Sequence, residues 1–474
     1  MKKTLILILS SIFSIALYAQ NENDALRYSL INYGGTARFA GMSGAYGAVG
    51  ADFSSLSQNP AGIAFYRKSE FMITPVFSSN NTSTKFLGEI GDNYRNTAYL
   101  GNVGFVFSKS MSGQAGPVVQ MQFGFGVNQL SRFNNWTTVS GFNNENSLLT
   151  GYVDDVNAGN DWDDFGSGLA YDVNLIFYDS TNMRWAADME YGGVQQIKNT
   201  ETRGSLNETV LSAGANISDK LFLGITFGFP YIRYEEVSTY SEEDTENLNN
   251  YFTSFSRREY LETRGSGFNF KAGFIYMPIE FIRIGGAIHT PTNFYNLTDN
   301  YGTSMTADYQ DGERWSEDSP DGFYEYDLRT PMRAMGSLAV ILGKYGLISA
   351  DYEYIDYSEA KLRAPDYSFS SENNAIRTQY TAANNFRFGA ELKAGKASLR
   401  GGYSISGTPF TGSDSKGART GFSAGAGIRD KAYFVDFSYN HSSMDSYYYL
   451  YNAAPAASNT VKTNSYTLTM GFRF

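Results

Sequence analysis

The chain has 474 residues, no cysteine, two histidines and a formal charge of −11. Without thiols there is no disulfide framework, thiolate metal site or cysteine nucleophile. So acidic a balance offers no basic stripe for phosphates, which excludes nucleic acid as a partner.

Residues 1–20 read as an export signal: Lys2 and Lys3, the apolar run "TLILILSSIFSIAL", then Ala19 at a small-residue cleavage point. That run is too short for a bilayer-spanning helix, and no later stretch reaches the roughly 18 apolar residues one needs. The mature chain is expected to start near Asn21 with a charge of −13, 35 basic residues against 48 acidic ones. Residues 21–69 follow neither helix nor strand period. Their centre, "GGTARFAGMSGAYGAVGADFSSLSQNPAGIAFY", is dense in glycine and alanine and turns at Asn59-Pro60, where proline biases Asn59 away from helix. Small residues suit a segment that packs closely against a wall.

From residue 70 onward the period is two. In "NSYTLTMGFRF", Tyr466, Leu468, Met470, Phe472 and Phe474 share one face, and Ser465, Thr467, Thr469, Gly471 and Arg473 the other. "NFRFGAELKA" sets Phe386, Phe388, Ala390 and Leu392 against Arg387, Gly389, Glu391 and Lys393. "SLRGGYSI", "GFSAGAGIR" and "AYFVDFSYN" repeat the pattern. Mean hydropathy is only −0.33 despite 36 Tyr, 35 Phe and 48 Gly. Lipid-facing and lumen-facing residues cancel in that average, as they do in transmembrane β-barrels.

Short connections (109–117, 218–220, 277–280, 342–346, 394–396, 429–431) alternate with long polar ones (80–97, 129–204, 240–257, 298–322, 363–379, 409–418, 444–460). Bacterial outer-membrane barrels show this asymmetry. Residues 190–204 fit either a strand or a loop. The predicted fold is all-β: a transmembrane antiparallel barrel of about 14 strands over residues 70–474. Such a lumen lies between the filled barrel of roughly eight strands and the open channel of roughly 16–18. Residues 21–69 are therefore expected to plug it as an N-terminal hatch.

The stretch "GTARFAGMSGAYGAVGADFSSLSQNPAGIA" resembles the plug signature of the FadL/TodX-like outer-membrane transporters, centred on Gly41, Gly44, Gly47, Asp52, Asn59, Pro60 and Ala61. "FIRIGGAIHTPT", "TPMRAMGSLAVILGKYGLISADYEYIDYS" and "FRFGAELKAGKASLRGGYS" resemble family strands. The resemblance implies passive transport of long-chain fatty acids or other hydrophobic compounds across the outer membrane of a Gram-negative bacterium. Cargo would be captured at outer loops and leave through a gap in the wall at a distorted third strand. Here that strand is "PVVQMQFGFGVN", with Gly124 and Gly126 as gate candidates; glycines relieving crowding at the wall are the plain alternative. Asn59, Pro60 and Ala61 are either a moving latch or a fixed structural turn.

By strand parity His289, Arg387, Glu391 and Arg400 face the lumen, and His441 the lipid side. One lumen histidine suits a hydrogen bond to the plug better than haem ligation. The acidic runs (Asp154, Asp155, Asp161, Asp163, Asp164, and Glu242, Glu243, Asp244, Glu246) match no calcium loop and read as solvated outer loops. No serine motif accompanies either histidine, so no enzyme is expected. No cofactor or metal is expected either. The expected partners are hydrophobic small molecules and a lipopolysaccharide-bearing membrane, with the protein a monomer. The alternatives are a carrier barrel in protein export and a haem receptor.

Overall fold

In the computed structural model, which describes residues 21–111, 116–249, 251–412 and 416–474, fourteen antiparallel strands close into a barrel. They are β1 (Glu70–Phe86), β2 (Glu89–Ser110), β3 (Val118–Arg132), β4 (Val194–Ile217), β5 (Leu221–Glu243), β6 (Phe252–Ile279) and β7 (Ile282–His289, resuming at Asn293–Tyr309). Then follow β8 (Gly322–Arg329, resuming at Arg333–Ile341), β9 (Gly346–Asp356), β10 (Ala382–Ala394), β11 (Ala397–Ser406), β12 (Arg419–Arg429), β13 (Tyr433–Tyr448) and β14 (Ala457–Arg473). Each pairs with the next, and β1 closes the ring on β14 from Glu70↔Arg473 to Lys85↔Ser458. The expected export signal lies outside the described residues, as does part of the 109–117 connection. The interruptions of β7 and β8 fall at Pro291 and Pro331, since proline has no N–H to give a ladder.

The alternation sorts the wall into two faces. Along β5, Leu223, Ile225, Phe227, Phe229 and Tyr231 point outward, each 40–45% exposed, while Phe222, Thr226 and Ile232 are buried inside. Past Tyr231 the outward residues turn polar at Arg233 and Glu235. No helix among the described residues is long and apolar enough to cross a membrane; the continuous apolar surface belongs to the strands.

Several stretches expected as long loops are strands that continue beyond this apolar band. β1 and β2 run to a two-residue turn at Leu87-Gly88, with φ of 46° and 94°, the doubly left-handed geometry that matches hairpin twist. β5 and β6 extend to Glu243 and Phe252, and β13 and β14 to Tyr448 and Ala457. Residues 194–204 belong to β4. Between β3 and β4, residues 133–193 form a folded cap rather than an open loop. It holds a strand, Asn135–Asn143, two helices, Leu148–Asn157 and Ser167–Asp172, and a hairpin of Ile176–Asp179 with Arg184–Ala187. Leu149, Val153, Leu169 and Val173 of the cap pack on Tyr240, Phe252, Phe255, Met305 and Leu450.

The N-terminal segment lies within the ring. It contains helix α1 (Glu22–Ser29), opened by an Asn21 capping box, short helices at Ala37–Ala40 and Ser55–Gln58, and a 3₁₀ turn at Pro60–Phe65. It bonds to strands on opposite sides of the barrel. Ala37 N–H donates to Thr469 on β14 (2.7 Å), Tyr46 and Gly47 N–H to Asp351 on β9 (2.7 and 2.8 Å), and Ser57 to Glu208 on β4 (2.7 Å).

Candidate functional site

In the half of the lumen nearest the short turns, residues 36–66 sit in a socket lined by wall glycines. A Cβ on Gly273 would lie 2.0 Å from Asn59 Oδ1, and one on Gly224 would lie 2.2 Å from the Pro60 carbonyl. Neither position accepts a side chain while the segment is seated. Asn59 is the central fastener. Its Nδ2 donates to the carbonyls of Gly47 (2.6 Å) and Phe274 (3.3 Å), and its Oδ1 accepts from Ala61 N–H (3.1 Å). Pro60 starts the 3₁₀ turn, where its missing N–H costs nothing. Asp52 holds the segment to itself, accepting from Thr36 Oγ1 (2.6 Å) and Ser54 N–H (3.0 Å). Gly41 approaches Gly425 of β12, and Gly44, with φ of 76°, turns against Phe39 and Arg387.

A buried ion network joins segment to wall. Glu391 accepts from Arg38 Nε and Nη2 (2.8 and 2.9 Å) and from Arg400 Nε (2.7 Å); Arg400 Nη1 in turn reaches Asp436 (2.6 Å), which also receives Arg429. Burying charge is tolerable only with such matched partners. Glu391 and Arg400 therefore occupy the lumen as their parity predicts, and their geometry is that of a fastening. His289 donates from Nε2 to the Gln58 carbonyl (2.7 Å) and is buried. His441 is half-buried, against Phe422 and Asn464.

Gly124 and Gly126 sit where β3 is paired on both sides. Cβ atoms there would strike Leu56, Ile63 and Phe53 of the segment. The interruption of the wall comes two residues beyond Gly126. The β2–β3 ladder runs from Ser110↔Gln120 to Asn102↔Asn128 and stops, while β2 continues to Glu89 paired with β1. The N-terminal segment fills the vacated edge: Asn32 N–H donates to the Leu130 carbonyl (2.8 Å), Gly34 N–H to Gln129 (3.1 Å), and Ser131 Oγ to Leu30 (2.8 Å). Leu100 and Val127, at the same level, are exposed on the outer wall. Among the described residues, this seam is the one place where a backbone edge of β3 is closed by the N-terminal segment rather than by a wall strand.

Behind the seam lies a cavity of about 410 Å³, between the socket and the long-connection end. Ile31, Tyr33, Phe39, Tyr99 and Phe133 give it apolar surface; Arg132, Arg387 and Arg419 give it charge, with no acidic residue among its described lining. Arg387 is paired with Glu353 (3.4 Å). The other two are not paired with any described carboxylate. Arg132 stacks 4.2 Å over the Tyr99 ring, and Arg419 reaches only Met444 Sδ, at 3.8 Å. Sequence reasoning missed both. Parity carried back from Gly421 and Ser423 places Arg419 in the lumen, whereas Arg132 follows the irregularity at Leu130, which breaks the parity.

No protein-family model and no curated protein matches the sequence. Solved structures do match. A FadL homologue from Pseudomonas aeruginosa is 14% identical over 94% of this chain and 99% of its own, with a TM-score of 0.58. The Pseudomonas putida toluene transporter TodX is 11% identical at the same coverages, TM-score 0.56. The Ralstonia pickettii toluene transporter TbuX is 13% identical, again over 94% and 99%, TM-score 0.52. The chain thus has the fold of the FadL-type barrels.

Proposed function

We propose that the protein is a passive outer-membrane channel for hydrophobic molecules, its cargo being long-chain fatty acids or similar lipophiles with an anionic head. Residues 21–69 act as the hatch, the long-connection end faces the cell exterior, and cargo leaves sideways through the β2–β3 seam. The fold shared with a FadL homologue and two toluene transporters supports the hydrophobic cargo. One observation supports the anionic head: Arg132 and Arg419 line the cavity unmatched by a described carboxylate. Both guanidiniums are half-buried and so partly withdrawn from water, and a carboxylate entering between them would form charge-assisted hydrogen bonds. A neutral hydrocarbon such as toluene would not. Sideways release keeps an apolar chain out of water on its way to the membrane. The reading needs no cofactor and no catalytic step.

The test is binding of radiolabelled palmitate and of hexadecanol to the detergent-folded barrel. Palmitate is expected to bind saturably and about tenfold more tightly, a difference of ~1.4 kcal/mol, and the Arg132→Gln/Arg419→Gln double variant to erase the difference. Equal affinity of the unsubstituted protein for acid and alcohol would refute the anionic head. Saturable binding of neither, by a barrel shown to be folded, would refute hydrophobic cargo.

A further inference from the structure

The outside of the wall carries a second organised group of charges. On β5 and β6 the apolar band ends in an aromatic rim of Phe229, Tyr231 and Phe268. Beyond it, toward the long-connection end, stand Arg203 on β4, Arg233 on β5 and Arg264 on β6, their side chains 56%, 56% and 47% exposed. All three are held in one way. Nε and Nη2 donate to the carboxylate two residues away on the same strand: Arg203 to Glu201 (3.1 and 2.7 Å), Arg233 to Glu235 (3.0 and 2.5 Å), Arg264 to Glu262 (2.7 and 2.5 Å). The carboxylates are the less exposed partners, at 33%, 26% and 14%. The guanidiniums are thus held by Nε and Nη2, and their Nη1 is bonded to no described residue.

Sheet stability alone would set arginine against glutamate across each ladder. Arg203 does face Glu235. The β5–β6 register, however, sets Arg233 directly opposite Arg264 and Glu235 directly opposite Glu262. Like charges opposed in this way cost stability. Arg233 and Arg264 form a cationic pair next to the apolar band, with Glu235 and Glu262 beyond it; Arg203 stands one step further along, level with Glu235. Preoriented guanidiniums just above the band, a level pair with a third one step away, match a phosphate on a lipid whose chains lie along Phe227, Phe229 and Phe268.

We propose that Arg203, Arg233 and Arg264 form a site for the phosphorylated headgroup of an outer-leaflet lipid. The proposal rests on the outer-membrane reading above. The phosphate belongs either to a bisphosphorylated glycolipid of the lipid A type or to a glycerophospholipid, and the assay separates the two. Detergent-folded protein is incubated with lipid A, its dephosphorylated form, or phosphatidylglycerol, and retained lipid is counted by native mass spectrometry. The unsubstituted protein is expected to retain phosphorylated lipid at least tenfold better than the Arg203→Gln/Arg233→Gln/Arg264→Gln variant. Lipid A well above phosphatidylglycerol identifies the glycolipid; equal retention identifies any lipid phosphate. Equal retention by protein and variant, or of lipid A and its dephosphorylated form, overturns the site. Should the triple variant not fold, Glu235→Gln frees Arg233 and must raise retention. Palmitate binding is read on the same samples. It must survive in the arginine variant, which faces away from the lumen, so failure of the lipid site and failure of the cargo reading are distinguishable.

Discussion

Both halves of the lumen hold arginines and treat them in opposite ways. Near the short turns, Arg38, Arg400 and Arg429 are each matched to Glu391 or Asp436. Near the long connections, Arg132 and Arg419 have no described carboxylate partner. The walls differ as well. Glycine gives way to backbone in the lower half, whereas serine, threonine and asparagine line the upper cavity. The same barrel therefore contains a completed interface and an incomplete one. Matched charge marks where the chain has bound itself; unmatched charge marks where it has left room for something else.

The contrast is tested most sharply by one substitution made in both halves. Arg38→Gln removes two charge-assisted bonds from the buried Glu391, which keeps only Arg400 and a more distant Lys393, and is expected to cost about 3 kcal/mol. Arg419→Gln removes a half-buried charge with no described partner and is expected to leave stability unchanged or raise it. Denaturant titration in detergent, read by loss of the heat-resistant compact band on gels, measures both. Equal losses would abolish the distinction.

Glycine provides the next test. Gly224→Val and Gly273→Val drive Cβ atoms into Pro60 and Asn59, and overpacking of this kind costs about 1–3 kcal/mol. Gly336→Val on β8, whose Cβ would meet nothing within 4 Å, is the control and should be near neutral. If all three behave alike, the socket description is wrong. A smaller effect is expected at Asn59→Ala. It removes the bonds to Gly47, Phe274 and Ala61 and should cost about 1–2 kcal/mol, measured by protection of residues 36–66 from protease.

Much of the barrel was legible because lipid enforces it. Phe386, Phe388 and Leu392 face out and Arg387 and Glu391 face in because one wall face must be apolar. The pattern fails past Tyr231 and around residues 80–97, since strands standing in water on both faces no longer need to alternate, and they read as loops. The site was half visible for a related reason. Parity reports which way Glu391 points, but its partner Arg38 lies 353 positions away, and nothing local in the sequence announces that distance. Gly124 and Gly126 were noticed as unusual for a strand; their neighbours Phe53, Leu56 and Ile63 come from the N-terminal segment, so the strand alone could not say which pressure had selected glycine.

The smallest expected effect falls on the boundary between the halves, and it bears most directly on transport. At the β2–β3 seam two backbone bonds, from Asn32 and Gly34, close an edge that elsewhere is closed by a full ladder. A Cβ on Gly34 would lie 2.9 Å from the Gln129 carbonyl, tighter than a carbon–oxygen contact prefers, so Gly34→Ala should stretch the Gly34 bond without unseating residues 36–66. Losing most of one hydrogen bond is worth about 1 kcal/mol, or roughly fivefold in a rate. If cargo leaves through this seam, release of bound palmitate to acceptor vesicles, followed by stopped flow, should quicken by about that factor while denaturant stability changes little. Unchanged release would mean that the N-terminal chain closes an edge no cargo crosses. Unchanged release with lowered stability would make Leu30–Gly35 a fifteenth structural element of the wall, and the exit would then have to lie at the end of the barrel.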